Sequence, residues 1–187
     1  LRLPLGFRIE VLVADVPDAR SMALGDQGTL FVGTRRKGNV YAIRNVFGDR
    51  PEVLAIATGR RTPNGIAFHD GDLYLAEVGS ISRFSDIERR LPYPGDPEIV
   101  VDDLPPAKLH SWRYIGFGPD NRLYVAIGAP CNVCDETGYG VILRMNSDGS
   151  EREVFARGVR NSVGFTWHPD SQKLWFTDNG RDMMGDD

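Results

Sequence analysis

His110 is the residue whose type and position in this 187-residue sequence are best suited to chemistry. It lies in the segment Leu-His-Ser-Trp (109–112), just ahead of the short apolar segment 115–117. An imidazole with an ordinary pKa changes charge near neutral pH, so His110 is a candidate general base. The alternative is a histidine bonded to a neighbouring structural element. The other two histidines, His69 and His168, each precede a polar turn, and we expect them to pack at those turns.

Polar residues with cofactor-binding or cation-binding chemistry follow His110 along the chain. Arg160 and Asn161 stand together ahead of another apolar segment, and a guanidinium beside an amide suits a planar anionic ligand. The alternative is an arginine paired with a nearby aspartate. The loop Asp-Asn-Gly-Arg-Asp (178–182), with Asp186 and Asp187 after it, is rich in oxygen ligands, which hard cations such as calcium prefer. Its spacing does not match an EF-hand, and such loops also occur as simple turns.

Cys131 and Cys134 are the two cysteines of the sequence. A zinc site needs more ligands, and a thioredoxin-type motif needs a helix that this loop lacks. The pair therefore predicts a local disulfide if the protein is exported, and a reduced pair otherwise.

A repeat of about fifty residues must position these groups. Four short apolar segments start at residues 30, 73, 123 and 174, at spacings of 43, 50 and 51 residues. Each follows a polar turn, and a second small-plus-apolar segment precedes each turn, so every unit opens with a β-hairpin. Further apolar segments follow in most units, and no sustained helical periodicity is present.

Four strands in about fifty residues are the size of one propeller blade, so we predict an all-β propeller of four-stranded antiparallel blades. The alternative, a β-sandwich with irregular hairpins, does not account for the repeat. We expect residues 1–187 to form a single propeller domain, about four blades of a larger ring, with a C-terminal portion missing. Such a fragment should bind a cofactor poorly, since the absent blades would help to enclose it.

Composition excludes some partners. The net charge is −4, and the lysines and arginines are scattered, which argues against nucleic-acid binding. No stretch approaches the eighteen or so apolar residues of a membrane span. The chain opens without a recognisable leader, so the protein is either cytosolic or exported with its leader removed.

Three segments, 106–120, 158–169 and 174–182, together resemble the soluble PQQ-dependent sugar dehydrogenases, with the closest similarity to the sorbosone dehydrogenase-like branch. They contain, in order, the histidine, the Arg-Asn pair and the Asp-Asn-Gly loop. The resemblance covers essentially the whole chain and implies the N-terminal part of a six-bladed propeller. It further implies a periplasmic or secreted enzyme that oxidises a sugar or aldehyde and passes electrons to an external acceptor.

Carried over by position, the resemblance implies that His110 is the general base and that Arg160 and Asn161 contact PQQ. The backbone carbonyls of Gly180 and Arg181 would ligate calcium. These groups should then converge at one end of the central channel.

Three departures from the glucose-oxidising branch bear on the substrate. Leu109 replaces an acidic residue ahead of the base, Gly128 leads to Ala129 and Pro130 where that branch has Asp-Gln, and the glutamine expected near Arg61 is not evident.

Two other function classes stay open. The segment 62–68 with 73–77 also looks like the gluconolactonase and regucalcin propellers, which are metal-dependent lactonases. Asn64 and Asn161 could serve as ligands there, although an N-terminal Glu ligand is not obvious. The third possibility is a propeller that binds a protein or glycan without catalysis.

Overall fold

Antiparallel β-sheets dominate the computed structural model, which describes residues 2–106 and 109–183. The predicted all-β propeller is confirmed, with three four-stranded sheets and one two-stranded sheet in this part of the chain. The strands of the first two sheets are β1 (Ala19–Leu24), β2 (Leu30–Thr34), β3 (Val40–Arg44), β4 (Glu52–Ala57), β5 (Gly65–His69), β6 (Asp72–Ala76), β7 (Ile81–Phe84) and β8 (Glu98–Val101). Those of the other two are β9 (Ile115–Phe117), β10 (Leu123–Ile127), β11 (Val141–Met145), β12 (Glu153–Arg157), β13 (Gly164–Trp167) and β14 (Leu174–Thr177).

Each sheet is a meander in which sequential strands pair with their neighbours, and we call each sheet a blade. The four apolar segments that defined the repeat are β2, β6, β10 and β14, the second strand of every blade. The first strands of neighbouring blades contact each other, β1 with β5 and β5 with β9, so they line the inner side of the assembly. In the part of the chain that the structure describes, a single short helix, α1 (Ile87–Arg90), lies between β7 and β8.

The core lies between successive blades, because the second and third strands are buried on both faces. All five residues of β10 are buried, and the apolar side chains of β6, β10 and β11 form one cluster across the second and third blades. A second cluster joins the first blade to the second around Phe31 and Leu75. The outer strand β12 instead alternates between exposed and half-buried residues, as expected where one face meets solvent.

Because the strands pair as hairpins, the segments that carry the candidate site residues lie at one end of the blades, which we call the rim. In an antiparallel pair, the segment before the first strand lies beside the segment after the second. Ile115 pairs with Val125, and Gly164 pairs with Thr177, so residues 109–114 meet the segment after β10, and residues 158–163 meet the segment after β14. No helix in the described residues is long and apolar enough to cross a membrane.

Candidate functional site

The imidazole of His110 has a fixed orientation. His110 is half-buried, its backbone φ is 49°, and its Nδ1 lies 2.7 Å from the carbonyl oxygen of Ala129. A carbonyl oxygen can only accept, so Nδ1 carries the proton in the neutral ring and the lone pair is on Nε2. No group in residues 2–106 and 109–183 forms a hydrogen bond with Nε2. The ring therefore has the geometry of a general base, held by one nitrogen and available at the other.

In two blades, a carboxylate that directly follows the second strand fixes the backbone at the rim. Asp178 follows β14 and accepts the backbone N–H groups of Arg160 at 3.0 Å and Asn161 at 2.6 Å. Glu77 follows β6 in the equivalent position and accepts the backbone N–H of Arg61 at 2.5 Å. In each case the carboxylate ties down the segment that leads into the first strand of the same blade.

Gly128 occupies that position in the third blade and leaves room for His110. A Cβ built on Gly128 would lie 2.5 Å from the Cβ of His110 and 2.9 Å from its carbonyl oxygen. The Oδ1 atom of Asn161 would be 3.4 Å from the same point. His110 thus fills the space that a carboxylate side chain takes in the second and fourth blades, and Asn161 borders the same space.

The guanidinium of Arg160 joins the third blade to the fourth. Its Nε donates to the carbonyl oxygen of Asn132 at 3.2 Å, and Nη2 donates to Asn132 Oδ1 at 2.7 Å. Nη1 donates to the carbonyl oxygen of Asn179 at 3.0 Å, and Nη2 lies 3.3 Å from Asp182 Oδ2. The backbone completes the connection, because the Arg160 carbonyl accepts the N–H of Ala129 at 2.7 Å.

Asn132 is a site residue that the sequence did not reveal. Besides both contacts with Arg160, its Oδ1 accepts the N–H of Asp182 at 2.9 Å and its Nδ2 donates to the Asp182 carbonyl at 3.0 Å. It lies between Cys131 and Cys134, which form a disulfide with a Cα–Cα distance of 5.3 Å. The disulfide closes the loop that presents Asn132. The close cysteine spacing was the only sequence signal for an ordered loop here.

The structure leaves the carbonyl oxygens of Gly180 and Arg181 open to a ligand. Both residues are exposed, and neither carbonyl accepts a hydrogen bond from the described residues. Arg160 and Arg181 line a polar cavity of about 500 Å³ that is formed mostly by the loop between β10 and β11 and the segment after β12. His110 and Asn161 are not among its lining residues. Within residues 2–106 and 109–183, no three His, Cys, Asp or Glu side chains cluster as a metal site. Asp186 and Asp187, also considered as cation ligands, lie outside the described residues.

Buried Arg113 supports the segment that carries His110. Its side chain is fully buried, and its Nε donates to the Val78 carbonyl of the second blade at 3.0 Å, while Nη2 donates to the Pro105 carbonyl. Burial lowers the pKa of the guanidinium to about 10. Arg113 therefore ties residues 109–114 to the neighbouring blade.

The other two histidines lie at hairpin turns, as predicted. His168 Nδ1 accepts the backbone N–H groups of Asp170 and Ser171 at 3.2 and 3.3 Å. His69 ends β5 and stacks on Phe117 of the next blade, with ring centroids 4.0 Å apart. Both rings therefore have packing roles.

Comparison with known proteins gives the fold independent support. No family model matches the chain. An uncharacterized protein of Borreliella burgdorferi is 30% identical over the whole chain, which spans 51% of that relative. The PQQ domain of pyranose dehydrogenase from Coprinopsis cinerea superposes with a TM-score of 0.83 at 16% identity, over 97% of this chain and 48% of that one.

Two further solved structures share the fold. PQQ-bound aldose sugar dehydrogenase from Streptomyces coelicolor has a TM-score of 0.71 at 22% identity, over 93% of this chain and 60% of that one. Virginiamycin B lyase from Staphylococcus aureus has a TM-score of 0.60 at 18% identity, over 88% of this chain and 51% of that one. At 16 to 22% identity these likenesses establish the fold alone, and the chain spans about half the length of several of these proteins.

Proposed function

We propose that this chain carries the general base and part of the cofactor-binding rim of a quinoprotein oxidoreductase that oxidises a sugar or an aldehyde. The observation that carries the proposal is the orientation of His110. Its Nδ1 is committed to the Ala129 carbonyl, its Nε2 is open, and Asn161 borders the same space at Gly128. A histidine placed only for packing has no need of a nitrogen that lacks a partner among the described residues and lies in a segment bordered by an amide.

The residues at this rim fit PQQ, an anionic planar quinone. Three of the oxygens that hold the Arg160 guanidinium are neutral, two from Asn132 and one from Asn179, and the single carboxylate contact is with the exposed Asp182. These contacts occupy the guanidinium donors, and 12% of the side chain is exposed, so an anionic ligand would take the place of Asp182. The planar fork of Arg160 matches carboxylate and quinone oxygens. Arg160 and Asn161 would hold the cofactor.

The carbonyl oxygens of Gly180 and Arg181 fit a calcium ion, which takes six to eight oxygen ligands. Two adjacent carbonyls without a hydrogen-bond donor in the described residues supply part of that set. The cofactor and water would complete it. The chemistry that PQQ and calcium would supply at this site is acceptance of a hydride from the substrate.

His110 would act as the general base for the substrate hydroxyl. The hydroxyl proton of the substrate would pass to Nε2, and the Ala129 carbonyl at Nδ1 stabilises the imidazolium that forms. Arg113 keeps the segment in place by its bonds to the second blade. An external electron acceptor would be the partner of such an enzyme. We also propose a periplasmic or secreted location, where the disulfide between Cys131 and Cys134 would persist.

Reconstitution tests the proposal directly. The full-length protein is loaded with PQQ and calcium, and dye reduction is followed with a panel of sugars and aldehydes. His110→Gln should lower kcat by at least about 100-fold without changing the Kd for PQQ, because general-base catalysis contributes about 10²- to 10⁴-fold. His168→Asn, which keeps an acceptor at the turn, is the matched control and should retain kcat. Equal losses in both variants, or no loss in either, would contradict a general-base role.

The lactonase alternative has weaker support. It requires carboxylate and amide side chains around one metal. Asn64 binds the Arg113 carbonyl through Nδ2, and Asn161 borders Gly128, with no carboxylate of the described residues hydrogen-bonded to either side chain. Metal-dependent hydrolysis of lactones by the full-length protein, without dye reduction, would favour it over the oxidoreductase. Failure of both assays would leave a binding propeller.

A further inference from the structure

A second polar pocket, whose lining residues do not include His110, lies where the first strands of the four blades begin. It has a volume of about 230 Å³ and is lined by Arg20, Asn64, Trp112, Tyr114 and Val163 among others. Trp112 is two residues beyond His110, and Val163 is two beyond Asn161 along the chain. Pockets for drug-sized ligands measure about 300–1,000 Å³, so this one suits a smaller molecule such as a single sugar ring.

Arg20 lines the pocket, and Arg35 adds a second positive charge beside it by stacking on Trp112. The guanidinium carbon of Arg35 lies 3.5 Å from the centroid of the Trp112 ring, and that of Arg20 lies 4.7 Å from it. Neither guanidinium forms a salt bridge with a carboxylate of the described residues. The nearest acidic group, Asp18, accepts the backbone N–H groups of residues 35–37 and offsets part of the charge. Desolvation and the charges of Arg36 and Arg20 lower the pKa of Arg35, as expected for cations held close together.

Asn64 provides an unpaired acceptor in the same pocket. Its side chain is buried, with 6% of the residue exposed, and Nδ2 donates to the Arg113 carbonyl at 2.9 Å. That bond fixes the amide, and Oδ1 has no partner among the described residues. A buried acceptor without a donor costs about 1–3 kcal/mol, so a ligand hydroxyl that donates to it gains affinity. The two guanidinium groups disfavour a metal cation as that partner.

We propose that this pocket binds a monosaccharide bearing an anionic group, a carboxylate or a phosphate. The anion would face Arg20 and Arg35, a ring hydroxyl would donate to Asn64 Oδ1, and Trp112 and Tyr114 would contact the sugar ring. The proposed binding of an anionic monosaccharide does not depend on the proposed function. The further statement that an acidic sugar is the substrate rests on the proposed function.

The test measures binding without PQQ and with calcium chelated, so that its result is independent of catalysis. Galacturonate, galactose 6-phosphate and neutral galactose are titrated calorimetrically into the full chain. At least one anionic sugar should bind at least tenfold more tightly than galactose, and the tighter of the two identifies the anion. Equal binding of all three, or no binding, would overturn the proposal.

Variants of the turn after β2 locate the site. Arg35→Gln should weaken anionic-sugar binding about tenfold, and exposed Arg20 offers a second variant, Arg20→Gln, if the first fails to fold. Arg36→Gln is the control, since it removes the same charge from the adjacent residue, which has no contact with Trp112. Equal losses in all variants would show non-specific attraction and overturn the proposal. So would a PQQ affinity that falls with Arg35→Gln while sugar binding is absent, because the pocket would then belong to the cofactor.

Discussion

Replacing Gly128 by alanine should displace His110 without removing its imidazole. The new Cβ would lie 2.5 Å from the Cβ of His110, whereas ordinary contacts begin at 3.4 Å. The histidine segment must therefore move by roughly 1 Å, and a displacement of that size at a catalytic group costs on the order of 100-fold in rate. Overpacking of this kind also costs about 1–3 kcal/mol of stability. We expect kcat for dye reduction to fall about 100-fold while the folded protein persists.

The control and a double variant separate displacement from general damage. Gly79→Ala adds the same methyl group where no atom lies within 4 Å, and it should retain full kcat. The double variant of Gly128→Ala with His110→Gln should be no slower than His110→Gln alone, because both changes disable the same base. Wild-type kcat in Gly128→Ala, or losses that multiply in the double variant, would refute the reasoning.

Three more predictions concern binding and stability. Asn132→Ala should weaken PQQ binding about tenfold in an absorbance titration, because a charge-assisted bond to Arg160 is lost; unchanged binding would contradict this. Arg113→Lys should lower the free energy of unfolding in urea by about 2 kcal/mol, since one ammonium cannot replace a fork that reaches two buried carbonyls. Hydrogen bonds, first from the Lys37 backbone N–H, hold the pKa of Asp18 below its usual value. Its contribution to stability is therefore present above about pH 4 and lost as the pH falls through the folded pKa. Asp18→Asn should flatten that acid limb of a stability–pH profile, and an identical limb in both proteins would count against it.

The repeat could be predicted from the sequence because each hairpin is determined by residues that are close together along the chain. Each hairpin has its own turn residues and apolar pair, so β2, β6, β10 and β14 were found at their observed places. Strand boundaries depend on pairing as well. The apolar segment expected from residue 73 begins as strand at Asp72, because Asp72 pairs with His69 across the turn.

Side-chain contacts across blades could not be predicted in the same way. Gly128 was noticed as a departure from a family pattern, yet its effect on His110 depends on how two loops meet. Asn132 belongs to no repeat, and its bonds with Arg160 span 28 residues of sequence. Trp112 meets Arg35 only because the first and third blades face the same channel. Such contacts depend on how the blades pack against one another, which local sequence patterns do not specify.

The bonds of Arg160 have a consequence for motion at the site. Its guanidinium binds Asn132 in the loop after β10 and the Asn179 carbonyl in the loop after β14. Asn132 also binds Asp182 through two hydrogen bonds. Loops that share such bonds should open together, because one cannot move without breaking the contacts of the other. Amide hydrogen exchange should therefore show similar protection in residues 131–134 and 178–182, and Asn132→Ala should lower the protection of both.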